Sequence, residues 1–85
     1  MRYRVLWAPP AEEKLERMLS GSRFASVLAN AVRKIDSTLA TSPQDFGESR
    51  YDPMRVGFEH PFGIEFEVMN DVRTVVVHDI WRTDQ

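Results

Sequence analysis

The chain has no cysteine in its 85 residues. That excludes a disulfide framework and a thiolate metal site as supports for the fold. It also lacks a basic surplus: 11 Lys and Arg stand against 13 Asp and Glu, for a net charge of −2. Proteins whose main task is gripping a phosphate backbone usually carry such a surplus, because each neutralised phosphate contributes through counterion release. Long apolar runs are missing too. Stretches such as Val75-Val76-Val77 are far too short to span a bilayer. The opening Met1-Arg2-Tyr3-Arg4 moves straight into an alternating pattern, without the apolar core of a signal peptide. A cytoplasmic location with no membrane partner is therefore expected. Only two histidines are present, too few to argue for a metal, and no small-molecule cofactor is expected. Internal repeats and low-complexity tracts are absent.

What is present is an ordinary globular composition, 42% hydrophobic and 28% charged. At this length residues 1–85 leave room for one domain with a modest core. Met1–Trp7 alternates, with Tyr3, Val5 and Trp7 on one side and Arg2, Arg4 and Leu6 on the other, which predicts a strand. Ala8-Pro9-Pro10 ends it and opens a helix, since proline is tolerated in a first turn where the N–H has no acceptor. Glu12 and Glu13 suit the positive end of the helix dipole, and Ala11, Leu15, Met18 and Leu19 form its apolar stripe. Ser20-Gly21-Ser22 breaks the helix, with Gly21 able to turn left-handed and Ser22 able to cap a second helix. That second helix is predicted over Arg23–Ala40 from Phe24, Val27, Leu28, Ala31, Ile35 and Leu39, so the two helices form a hairpin. Thr41-Ser42-Pro43 stops it, and Pro43–Glu48 reads as a loop.

Strand patterns fill the rest. Met54, Val56 and Phe58 alternate with Arg55, Gly57 and Glu59, and His60-Pro61-Phe62-Gly63 fits a type I turn. Ile64, Phe66 and Val68 alternate with Glu65 and Glu67, and Asn70-Asp71 is a turn. Arg73–Trp81 is β-branched on both faces, as in a strand deep in a sheet. The expected fold class is α+β: two layers, a helical hairpin on a mostly antiparallel four-stranded sheet, in the order β-α-α-β-β-β.

Tyr3-Arg4-Val5-Leu6-Trp7-Ala8-Pro9-Pro10-Ala11-Glu12-Glu13 resembles the opening of RelE/ParE superfamily toxins, where a strand runs into a helix rich in Ala and Glu. Ile35-Asp36-Ser37-Thr38-Leu39 before Ser42-Pro43, then Gly47-Glu48-Ser49-Arg50, extend the match. Arg55-Val56, Pro61-Phe62-Gly63-Ile64-Glu65-Phe66-Glu67-Val68 and Arg73-Thr74-Val75-Val76-Val77 carry it to the end of the chain. The resemblance implies the toxin of a type II toxin-antitoxin system, held by an antitoxin protein. Members of the RelE kind cut messenger RNA on the ribosome, and those of the ParE kind poison DNA gyrase.

For a RelE-like endoribonuclease the resemblance implies metal-independent cleavage. The ribose 2′-hydroxyl attacks the phosphate while the protein supplies cations and proton transfer. The residues that could serve are Arg50, Arg55, His78 and Arg82, which would have to converge on one concave face. His78 is the acid/base candidate, since imidazole titrates near neutrality; the alternative is a hydrogen-bonded structural histidine. Arg50 either joins an active face or anchors its loop. His60 reads as an exposed turn residue. Trp7, Trp81 and Tyr51 either stack on bases or close the edge of the core. Two departures from the family stand out. Phe62-Gly63-Ile64 has no Arg where the family's third strand begins with one, and no tyrosine follows Arg82.

Alternation also predicts that Glu65, Glu67 and Glu59 share the open sheet face, where carboxylates would repel RNA or pair with Arg4, Arg55 and Arg73. Leu6 on that face hints at a partner surface. Three functions are compatible with this pattern: a ParE-like or divergent toxin, the ribonuclease, or a non-enzymatic family member that keeps only a protein-binding surface.

Overall fold

The computed structural model describes residues 2–84. Strand β1 (Arg4–Trp7) leads into helix α1 (Pro9–Leu19) and helix α2 (Ala25–Thr41). Strands β2 (Glu48–Tyr51), β3 (Met54–Glu59), β4 (Phe62–Met69) and β5 (Thr74–Arg82) follow. They make one sheet in the order β1-β5-β4-β3-β2, antiparallel except where β1 runs parallel to β5. The two-layer α+β arrangement is as expected, and β5, β-branched on both faces, is an interior strand flanked by β1 and β4.

The strand count is the main correction. The sequence pattern predicts one strand, around Met54–Glu59, between the Pro43–Glu48 loop and the His60-Pro61 turn, but β2 and β3 are the two arms of an antiparallel hairpin turning at Asp52-Pro53. Proline has no N–H to give to a ladder, so it punctuates the run instead of continuing it. The sheet has five strands because of it. Pro43–Asp45 also forms a short 3-10 turn rather than open loop, and pairing already starts at Glu48.

The first helix begins where the prolines predict, with Pro9 and Pro10 in its first turn and Ala11 buried beneath it. Gly21 follows at φ +75°, a left-handed value that glycine takes without steric cost. The Ser22 hydroxyl accepts the Phe24 N–H at 3.0 Å. That interaction finishes the turn, and α2 starts at Ala25 instead of Arg23. From there Leu28, Ala31, Ile35 and Leu39 face the sheet and are buried, whereas Phe24 and Val27 are exposed at the helix start. Those two line a shallow cleft with His60, Pro61 and Arg82 instead of joining the core.

The core is a sandwich of that helical stripe with Phe62, Ile64, Phe66 and Val68 of β4 and Val75, Val77 and Ile80 of β5. Each large apolar side chain so buried contributes about 1.5–3 kcal/mol relative to exposure. Val5 and Trp7 close one side, and the Trp7 indole donates to Asp36 of α2 at 2.8 Å. The hairpin turn between β3 and β4 also departs from expectation. Glu59 pairs directly with Phe62, so the four-residue turn is Glu59–Phe62 with His60-Pro61 at its centre, one residue earlier than predicted. Phe62 and Gly63 are strand residues, drawn into the ladder because Phe62 is fully buried in the core.

Candidate functional site

The face of the sheet turned away from the helices is uncovered, and the strand register fixes what lies on it. Three cross-strand rows result. In the first, Leu6, Val76, Glu67, Met54 and Tyr51 are neighbours from β1 across to β2. In the second, Asp79, Glu65, Val56 and Glu48 pair in turn. In the third, Trp81, Gly63 and Phe58 pair, and the Trp81 and Phe58 rings meet edge to face with centroids 6.3 Å apart.

This register overturns part of the expected face. Glu59 pairs with Phe62, and Arg55 pairs with Phe66, so both sit on the helix side and do not join Glu65 and Glu67. The apolar members of β3 face outward instead, with Phe58 61% exposed and Leu6 of β1 47% exposed. The inversion comes from the Phe46 ring, which lies on Gly57 and packs 5.8 Å from Phe66, covering the helix side of β3. A glycine at the covered position accepts the ring where a larger residue would push it away. The predicted pairing of the glutamates with Arg4, Arg55 and Arg73 is also absent. Glu67 pairs with His78 at 3.0 Å, Arg73 lies 5.6 Å from the Tyr3 ring, and Asp79 engages Lys14 of α1 at 3.0 Å.

The four candidate site residues are spread over the molecule. Arg55 donates to the carbonyls of Phe46 (3.4 Å) and Gly47 (2.9 Å), tying the loop before β2 to β3. Arg50 is exposed on edge strand β2, in a cleft of about 630 Å³ lined by Phe46, Val56 and Phe58. His78 lies in β5 at a register shift, with its Nε2 on Glu67. Arg82 ends β5 beside Phe62 on the other side of the sheet, and its guanidinium forms two hydrogen bonds to Asp84, at 2.7 and 2.8 Å. That contact raises the Arg82 pKa and holds the Asp84 carboxyl below its ordinary value of 3.8. Arg82 borders a smaller cleft with Phe24, Val27, His60 and Pro61. The structure therefore brings neither all four candidates nor the three arginines onto one concave face.

Trp81 and Gly63 are the residues whose joint role sequence alone did not disclose. A Cβ built on Gly63 would lie 2.5 Å from the Trp81 ring. The indole is seated against bare backbone, and that seat gives the aromatic row its position. The one signal in the sequence is a glycine inside an alternating strand, which often marks close approach by another group. Among the described residues no group of three or more His, Asp or Glu could hold a metal ion, and no helix is long and apolar enough to cross a membrane.

No family model matches the chain, and no curated protein matches it in sequence. Solved structures do match. A chain of the toxin-antitoxin complex RelBE2 from Mycobacterium tuberculosis aligns over 96% of this chain and 92% of its own length, with a TM-score of 0.78 at 16% identity. The chain has the RelE/ParE toxin fold. The chromosomal ParDE toxin-antitoxin system of P. aeruginosa supplies a second match at TM-score 0.73 and 18% identity, covering 94% of this chain and 95% of that one. The isolated RelE toxin of E. coli matches at 0.70 and 10% identity, covering 98% and 86%. On the RelE/ParE fold, this chain presents an open face on which Glu65 and Glu67 lie among apolar residues.

Proposed function

We propose that residues 1–85 are a single-domain, cytoplasmic toxin of a type II toxin-antitoxin system, restrained by an antitoxin protein and acting on its target through protein contact. The observation that carries this reading is the end-to-end fold likeness to toxin-antitoxin structures, with almost nothing left over on either chain. Two features favour a protein target, of the ParE and gyrase kind, over ribosome-bound messenger RNA. The centre of the open face carries Glu65 and Glu67, carboxylates that a phosphate backbone would have to approach, with only His78 paired to Glu67. Arg50, Arg55, His78 and Arg82 are divided among an edge strand, a loop anchor, the open face and the opposite side of the sheet. A metal-independent ribonuclease needs its cations and its acid and base around one phosphate.

The test is tightly controlled expression in a bacterial host, with soluble protein confirmed by gel. Growth arrest, relieved by a co-expressed antitoxin, is the expected result, with altered plasmid supercoiling and intact messenger RNA. Messenger RNA fragments that appear only on translating ribosomes and vanish with Arg82→Ala would replace this reading with the ribonuclease. Unimpeded growth at high soluble expression would remove the toxin assignment and leave a protein-binding member of the fold.

A further inference from the structure

We propose that Trp81 and Phe58, meeting over Gly63, form with Glu65 a binding site for a quaternary ammonium group such as that of a choline-type ion. The proposal goes beyond the toxin reading and does not depend on it.

The site is built on a glycine. In mid-strand a glycine carries an entropic cost and often marks a close approach. Gly63 lets the Trp81 indole sit over bare backbone, since a Cβ there would meet ring atoms at 2.5 Å. From the other neighbouring strand Phe58, 61% exposed, brings its ring to the indole, with centroids 6.3 Å apart and planes at 82°. An edge-to-face pair buries only one ring face in the contact, and Trp81 itself is only half-buried. Ring faces are the negative side of the aromatic quadrupole and attract a cation within about 6 Å of the centroid. Elsewhere the chain supplies that cation itself: Arg73 lies 5.6 Å from the Tyr3 ring and Arg23 5.7 Å from the Phe24 ring. Among the described residues no cation caps Phe58 or Trp81.

Glu65 supplies the charge. It follows Gly63 by two positions on β4 and shares its face, so the carboxylate row runs about 6.8 Å from the aromatic row. That spacing lets one cation touch a ring and the carboxylate together. Glu65 has no ion-pair partner among the described residues, whereas Glu67 is paired with His78 and Asp79 with Lys14. Val56 is its neighbour on β3, and beyond it Glu48 and Arg50 share β2 and offset each other in charge.

Donor count selects the kind of cation. A primary ammonium brings three N–H donors and a guanidinium five. At this site Glu65 is the one unpaired acceptor beside the rings, so donors turned towards them would lose their water without replacement. A quaternary ammonium has no N–H to leave unsatisfied and sets methyl groups carrying the positive charge against the ring faces. Anionic ligands meet Glu65 and Glu67 directly. A quaternary ammonium can belong to a free ion or to a trimethylated lysine of a protein, with the same chemistry at the rings.

The experiment is amide and indole NMR of the isotope-labelled full chain at a constant ionic strength of about 150 mM, where long-range attraction is screened. The probes are choline, its uncharged tert-butyl analogue, a short peptide bearing trimethyllysine, and the same peptide with unmodified lysine. Choline is expected to shift the Trp81 indole N–H and the amides of Phe58, Gly63 and Glu65 with millimolar affinity, as the site is open to water. The Trp7 indole, bonded to Asp36, should stay in place as an internal control. Binding of the uncharged analogue should be about tenfold weaker, and Trp81→Leu, Phe58→Leu and Glu65→Gln should each weaken choline about fivefold. Phe58 and Glu65 are solvent-facing, so those two variants keep the test open if Trp81→Leu loses its native spectrum. Glu12→Gln removes the same charge from α1 and should leave binding unchanged. Tighter binding of the trimethyllysine peptide than of choline, with shifts at the same residues, supports the site and assigns its ligand to a protein; the reverse order supports it with a free ion. Equal binding of choline and its uncharged analogue, or of the two peptides, would overturn the proposal. So would shifts centred away from the aromatic row, or a loss in Glu12→Gln equal to that in Glu65→Gln. No growth assay enters, so the toxin reading and this site stand or fall separately.

Discussion

Replacing Gly63 by alanine should destabilise the protein, and should stop doing so once the Trp81 ring is removed. A Cβ at this position would stand 2.5 Å from the indole Cε2 and Nε1 atoms. Carbon atoms rest comfortably at about 3.5–4.0 Å, so the ring must retreat by about 1 Å or more. Its retreat disturbs the edge contact with Phe58. Overpacking of this kind costs typically about 1–3 kcal/mol. We expect about 2 kcal/mol for Gly63→Ala, because the ring is partly exposed and can tilt outward. In the Trp81→Ala background the collision is gone. Alanine should then be neutral or favourable by about 0.5–1 kcal/mol, as a mid-strand glycine carries an entropic cost of that size. The double-mutant cycle should therefore return a coupling of about 2–3 kcal/mol. Urea unfolding followed by far-UV circular dichroism, with the indole of Trp7 as a second probe, measures all four corners. In thermal scans about 1 kcal/mol corresponds to a shift of roughly 4–8 °C for a domain of this size. Equal costs of Gly63→Ala in the two backgrounds would refute the argument, since the ring would then have no part in the penalty.

Trp7→Phe keeps most of the ring but leaves the half-buried Asp36 carboxylate without its indole donor; urea denaturation should show a loss of about 1–2 kcal/mol, and Trp7→Phe with Asp36→Leu should recover most of it. Arg55→Ala removes the ties to the Phe46 and Gly47 carbonyls, so amide exchange of residues 46–49 should accelerate well before global unfolding does. Asp84 titrates below 3.8 because Arg82 hydrogen-bonds its charged form. A depressed carboxyl adds stability that is complete above the unfolded pKa of about 3.9 and lost as pH falls through the lower folded value. An NMR titration of the Asp84 carboxyl should show that low midpoint, and Arg82→Gln should move it upward. Lys14→Ala, at a pair whose members are both well exposed, should cost under about 1 kcal/mol by denaturation and less in high salt.

The elements themselves were legible because their signals are local. Proline at the start of α1, the helical spacing of Leu28, Ala31, Ile35 and Leu39, and the strict alternation of Ile64, Phe66 and Val68 each depend on backbone periodicity within a few residues. The continuous β-branched run even announced that β5 is interior, since a strand with neighbours on both edges can carry apolar groups on both faces. Register was the weak point, for a strand presents opposite faces with a shift of one residue. Arg55-Val56-Gly57-Phe58-Glu59 carries apolar and polar residues in alternation, and nothing in that segment says which set turns inward. Phe46, well before Gly57 in the chain, made that choice by covering the glycine.

The same distinction runs through the candidate site. Residue types and the family resemblance marked Arg50, Arg55, His78 and Arg82 as the groups able to handle a phosphate, and the resembling segments, in their order along the chain, narrowed the fold where element order alone would fit several. Whether those four groups could act together depended on pairings between strands far apart in sequence. By itself the sequence determined the helices, the interior strand, the two-layer class and the want of a basic surplus, because these follow from local periodicity and composition. Only the tertiary structure decided the fifth strand, the outward turn of Phe58 and Val56, the seating of Trp81 on Gly63 and the dispersal of the arginines. Those depend on which distant side chain reaches a given strand face first, and packing between layers settles that.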